Sequence, residues 1–137
     1  MRPRPKEKSR LRILVLDDDS NVLDLTKVML KYHGYSRVEL TSDPVNAMRK
    51  LERKLIDIAF LDWNLPNLSG LELVRALRGQ MNDVPIIMLT GESDRDKVMQ
   101  ALSAGASDYI VKPFFRTTLI SKLEEVLAKT DPTTPQE

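Results

Sequence analysis

Five short apolar runs alternate with five longer stretches whose apolar residues recur every three or four positions. No other feature restricts the fold as much. The runs at residues 13–16, 37–41, 58–61, 85–89 and 109–111 have strand length. The stretches at 20–31, 44–54, 70–78, 94–104 and 115–129 have helical spacing. That spacing assigns inward faces to Val22, Leu25, Val28 and Met29 in the first helix, and to Val45, Met48, Leu51 and Leu55 in the second. In the third it selects Leu71, Val74 and Leu77, in the fourth Val98, Met99 and Leu102. In the last it selects Leu119, Leu123, Val126 and Leu127. Strands that are almost wholly apolar, each followed by a helix, predict an α/β domain with a parallel sheet covered on both faces.

Punctuation agrees with the pattern. Ser20 is expected as the N-cap of the first helix, with Asp19 in its solvated, dipole-stabilised start. Gly34 suits a helix stop, Pro44 a first helical turn, and His33 the end of a helix, where a cation is favoured. Residues 1–10 alternate prolines with Arg2, Arg4, Lys6, Lys8 and Arg10 and are expected to form a flexible, solvated basic tail. The domain is expected over 11–129, with a second flexible tail at 130–137.

The chain has 137 residues, the size of one domain with its own core. It has no cysteine, which removes disulfides and thiolate metal sites. A formal net charge of +1 does not suit a nucleic-acid surface, so no DNA partner is expected. No apolar run approaches the roughly 20 residues of a membrane span, and no signal-peptide h-region follows the basic start. A cytoplasmic address is the expectation.

In an open α/β sheet, ligands bind at the carboxyl ends of the strands. Asp17 and Asp18 follow the first strand, Asp62 the third, Thr90 the fourth and Lys112 the fifth. Three carboxylates, a hydroxyl and an ammonium therefore converge on one rim. Adjacent Asp17, Asp18 and Asp19 repel one another, so a cation must offset them or one must hold a proton. An oxygen-only set suits a hard cation such as Mg²⁺, which keeps waters and binds through one or two carboxylates plus a phosphate. Lys112 supplies a second positive charge.

The stretches ILVLDDD, LDWNLPNLSGLEL, IIMLTGES and GASDYIVKPF, in this order, resemble the receiver domain of bacterial two-component response regulators. The acceptor loop is most similar to single-domain chemotaxis-type regulators. The resemblance implies a flavodoxin-like (βα)5 fold with sheet order 2-1-3-4-5. It implies that Asp62 is the phosphoacceptor, phosphorylated by a histidine kinase or a histidine phosphotransfer protein in the presence of Mg²⁺. Asp17 and Asp18 match the metal pair, with Asp18 the favoured direct ligand and Asp17 acting through water. Asp62 and the backbone carbonyl of Asn64 complete the protein ligands.

Lys112 matches the residue that pairs with the phosphoryl group, and Thr90 the hydroxyl that moves to bond it. Lys112–Pro113 matches a cis peptide. Asn64 and Glu92 match positions that tune the lifetime of the acyl phosphate, and Gly91 a small residue that leaves the site open. Tyr109 matches an aromatic switch, and the output surface would be the face of the fourth helix, fifth strand and fifth helix.

Plainer roles are available for several of these residues. Thr90 also suits a turn, Tyr109 a half-buried strand aromatic, and Trp63 and the methionines ordinary packing. No DNA-binding or catalytic output domain fits in the remaining residues. A stand-alone receiver that switches a protein-binding surface and dephosphorylates itself is therefore expected, rather than a conventional enzyme. The alternatives are a phosphorelay shuttle and a Mg²⁺-dependent phosphatase that forms an aspartyl phosphate.

Overall fold

The first apolar run, Arg12–Leu16 (β1), lies between Arg37–Thr41 (β2) and Ile58–Asp62 (β3), parallel to both. Ile86–Thr90 (β4) extends the sheet from β3, and Asp108–Val111 (β5) closes it. The order is therefore β2-β1-β3-β4-β5, as the resemblance implied. The computed structural model describes residues 7–65, 68–91 and 95–130. The helices are Ser20–Tyr32 (α1), Pro44–Glu52 (α2), Gly70–Gly79 (α3), Arg95–Ala104 (α4) and Arg116–Thr130 (α5).

Every residue of β3 and β4 is buried, because helices cover both faces. Side-chain alternation along the strands divides the core in two. Ile13, Val15, Phe60, Ile87, Leu89 and Ile110 face α1 and α5, where Leu23, Leu30, Leu119 and Leu123 meet them. Leu14, Leu16, Leu61, Ile86 and Met88 face α2, α3 and α4, with Leu51, Leu73, Val74 and Leu77 against them.

Several local expectations are corrected. The N-cap of α1 is Asp19, not Ser20: its carboxylate accepts the Asn21 N–H at 2.9 Å. The inward face of α1 is Leu23, Thr26 and Leu30, while Leu25 and Val28 are exposed. In α2 the buried residues are Ala47 and Leu51, with Val45 exposed, and the helix ends at Glu52, before the exposed Leu55; in α4 the only buried residue is Ala101. Small side chains take these inward positions where a helix lies close to the sheet, and a hydropathy pattern favours their larger neighbours.

At the N-terminal side, Lys8–Arg10 forms a 3-10 turn rather than a continuation of the expected tail. The Lys8 ammonium donates to the His33 carbonyl at 3.2 Å, and the Ser36 hydroxyl donates to the Ser9 carbonyl at 3.1 Å. The basic residues Arg2, Arg4 and Lys6 lie outside the described residues.

Candidate functional site

The parallel sheet brings the carboxyl ends of β1, β3, β4 and β5 to one edge: Asp62 and Thr90 are the last residues of β3 and β4, and Asp17, Asp18 and Lys112 follow β1 and β5. Asp17 is fully buried, Asp62 is 2% exposed and Thr90 4% exposed, whereas Asp18 is exposed. One carboxylate oxygen from each of Asp17, Asp18 and Asp62 can be chosen so that all three lie within 4.8 Å of one another.

The Lys112 ammonium enters this cluster from the end of β5. It donates to Asp17 Oδ2 at 2.9 Å and to Asp62 Oδ1 at 3.2 Å. Backbone pairing fixes its approach: the Lys112 N–H donates to the Thr90 carbonyl at 2.7 Å. The Lys112–Pro113 peptide bond is cis, as the resemblance implied. Local turns fix the acids. Asp17 Oδ1 accepts the Asp19 N–H at 2.9 Å, and Asp62 Oδ1 accepts the Asn64 N–H at 3.2 Å, the side-chain-to-backbone turns that aspartate favours.

Burial pushes the Asp62 carboxyl up to about 6, and the charge of Asp17 adds to the shift; Lys112 and the Asn64 N–H only partly oppose it. For Lys112, burial works against the ammonium. The hydrogen bond to Asp17 and the charges of Asp62 and Asp17 outweigh that, so its pKa is raised. The repulsion among the aspartates thus has an answer. One lysine is shared by two buried carboxylates, and three ionised acids beside one ammonium still leave a net negative centre. An all-oxygen donor set with excess negative charge fits a hard divalent cation.

The other expected site residues fall as follows. Thr90 ends β4 one register step from Lys112, opposite Val111. Asn64 is exposed beside Asp62. Gly91 is exposed, and a Cβ there would meet nothing within 4 Å. Tyr109 is half-buried, and Trp63 is partly buried against the α2–α3–α4 layer. Glu92 lies outside the described residues.

One residue that sequence patterning does not single out also shapes the site. A Cβ on Gly70 would stand 2.3 Å from the Asp62 carbonyl oxygen and 2.7 Å from Met88 Cε, so only glycine lets α3 start here. The signal was a glycine opening a helix, where better helix formers are available. At the opposite end of β5 from the site, the Asp108 carboxylate meets Lys122 of α5 at 3.2 Å.

A family model described as the response regulator receiver domain matches residues 13–124. The chain belongs to the response regulator receiver family. The chemotaxis protein CheY-3 of Vibrio cholerae is 31% identical over 121 residues, covering 87% of this chain and 93% of that protein. The response regulator MprA of Mycobacterium leprae is 38% identical over 122 residues, covering 89% of this chain but 53% of that protein. The solved structure of the chemotaxis response regulator CheY4 of Vibrio cholerae superposes with a TM-score of 0.77 at 32% identity, covering 85% of this chain and 98% of that one. Among the described residues, no helix is long and apolar enough to cross a membrane.

Proposed function

We propose that this receiver domain is a Mg²⁺-dependent phosphorylation switch in which Asp62 is the phosphoacceptor. The observation that carries the reading is Lys112 Nζ between Asp17 and Asp62, at 2.9 and 3.2 Å, beside the exposed Asp18. A carboxylate oxygen of Asp62 attacks the phosphorus of a phosphohistidine on a kinase or phosphotransfer protein. A P–O bond forms, the P–N bond breaks, and the departing imidazole takes up a proton. Transfer of this kind depends mainly on positioning and charge neutralisation. Lys112 is already within ion-pair reach of Asp62 and pairs with a phosphoryl oxygen once the carboxylate is esterified.

Asp17, Asp18, Asp62 and the Asn64 carbonyl are the residues that would hold Mg²⁺, which when bound neutralises negative charge on the carboxylates and the phosphoryl oxygens. Thr90 at the end of β4 offers a hydroxyl to the phosphoryl group, and Tyr109, two residues from Val111 in the neighbouring strand, responds to its movement. The output surface is the α4–β5–α5 face, read by a protein partner. Hydrolysis returns the switch: water attacks phosphorus, the bond to Asp62 breaks, and phosphate leaves. Asn64 and Glu92 set the rate of that step.

Trp63, next to the acceptor, gives a direct test. Mg²⁺ is titrated against tryptophan fluorescence, beryllofluoride or acetyl phosphate is added, and Asp62→Asn serves as control. A Mg²⁺-dependent response to the phosphate mimic that Asp62→Asn abolishes supports the switch. No response, with no acid-stable phosphate gained by mass, overturns it. The decay of the acyl phosphate then separates a terminal regulator, which decays quickly, from a relay shuttle, which retains its phosphoryl group.

A further inference from the structure

β5 is an outer strand of the sheet, paired among the described residues with β4 alone. Its side chains divide between the two layers: Ile110 packs with α1 and α5, and Tyr109 packs with the α2–α3–α4 layer. Asp108, two residues before Ile110, shares its face. The Asp108 carboxylate is held in place by the Tyr109 N–H, which donates to Oδ1 at 2.8 Å. Lys122 of α5 pairs with that carboxylate at 3.2 Å, and its ammonium also stands 5.6 Å from the centroid of the Tyr109 ring. One α5 side chain therefore reaches from its own layer, across the open edge of β5, to an aromatic ring of the opposite layer.

We infer that Lys122, anchored by Asp108, is a positioning residue for Tyr109: a clasp over the edge of β5 that holds the ring half-buried. A cation within about 6 Å of an aromatic face is attracted to it, and the attraction needs the cation to be held there. Asp108 does the holding, since an unanchored lysine on a helix surface spends its rotamer freedom in solvent. The clasp joins α5 to the α4 side of the sheet at the one strand edge on the proposed output face. Its role in signalling rests on the reading of Tyr109 as a switch; its existence in the resting protein does not.

The test is nitration of the whole chain by tetranitromethane, read residue by residue by mass spectrometry, in the absence of metal. The chain has no cysteine to compete for the reagent. Exposed Tyr32 and buried Tyr35 serve as internal references for fast and slow reaction. Lys122→Gln and Asp108→Asn are expected to raise the Tyr109 rate about two- to five-fold, with Lys122→Arg close to wild type. Lys122→Arg keeps the cation, so a rise in Lys122→Gln that Lys122→Arg does not share reports release of the ring from that cation.

A wild-type rate in Lys122→Gln, or an equal rise in Lys122→Arg, overturns the clasp. A second arm adds Mg²⁺ and beryllofluoride to the wild type. No change at Tyr109 there, with the resting difference intact, overturns the switch reading while the clasp stands.

Discussion

Lys112 reaches Asp17 at 2.9 Å although the two lie 95 residues apart, and the aspartate it meets has no exposed surface. Removing one partner of a buried ion pair leaves the other charge without its main compensation. Lys112→Met is therefore expected to destabilise the metal-free protein by about 3 kcal/mol, seen as a lower urea midpoint with an unchanged slope. The same change removes a positive charge from the cluster, so Mg²⁺ is expected to bind more tightly. Opposite signs in these two measurements are the prediction; weaker Mg²⁺ binding in a folded variant would contradict the charge argument.

Asp62 gives the site a pH dependence with a definite sign. Its carboxyl is raised from 3.8 to about 6 in the folded protein, chiefly by burial and then by Asp17. Between about pH 4 and pH 6 the folded state keeps a proton that the unfolded state has released. This group therefore lowers stability as pH rises through that window, and the loss is complete above it. Asp62→Asn has no such loss. With a chelator present it is expected to be more stable than wild type above pH 6, on the order of 2 kcal/mol, with the difference closing towards pH 4. Urea midpoints of both proteins across that range decide it.

The strands and the site were the legible parts of the sequence, for a common reason. Buried parallel strands must be apolar throughout, so β3 and β4 announce themselves, and the polar residues that follow them mark the rim. The helix faces were less legible. Hydropathy gave Leu25 and Val28 to the core, but Leu23, Thr26 and Leu30 point inward, and a threonine there weakens the apolar signal of the buried face. Ala47 and Ala101 occupy inward positions that a search for large apolar residues passes over. The ion pair of Lys122 with Asp108 was invisible for another reason. It depends on a lysine lapping around a strand edge, and no spacing along the chain encodes that.

Two glycines of α3 should respond to alanine with opposite signs. At Gly70 the new methyl would meet the Asp62 carbonyl oxygen at 2.3 Å, a backbone atom that can move only if the acceptor loop moves with it. At Gly79 a Cβ meets nothing within 4 Å. Gly70→Ala is expected to cost about 1 to 3 kcal/mol and to shift the Trp63 emission, because that loop carries Trp63. Gly79→Ala is expected to be neutral or to stabilise by up to about 1 kcal/mol through the unfolded chain. Equal midpoints for the two variants would mean that α3 does not press on the acceptor.

The acidic cluster makes the last prediction, which concerns the metal. A ligand that binds only the folded state stabilises it by RT ln(1 + [L]/Kd), or about 2.7 kcal/mol at a hundred times Kd. Mg²⁺ is therefore expected to raise the urea midpoint of the wild type in a concentration-dependent way. Asp18 is exposed and has no part in the Lys112 ion pairs, so Asp18→Asn should leave the metal-free midpoint within about 0.5 kcal/mol of wild type. It should nevertheless remove most of the Mg²⁺ effect, since one of three converging oxygens loses its charge. Asp24 on α1, exposed and outside the trio, provides the control for charge alone. If Asp24→Asn blunts the Mg²⁺ response as strongly as Asp18→Asn, the ion is responding to the general field of the surface. If only Asp18→Asn does so, the carboxylates after β1 and β3 form a coordination site, and the excess negative charge left by a single lysine is what the metal balances.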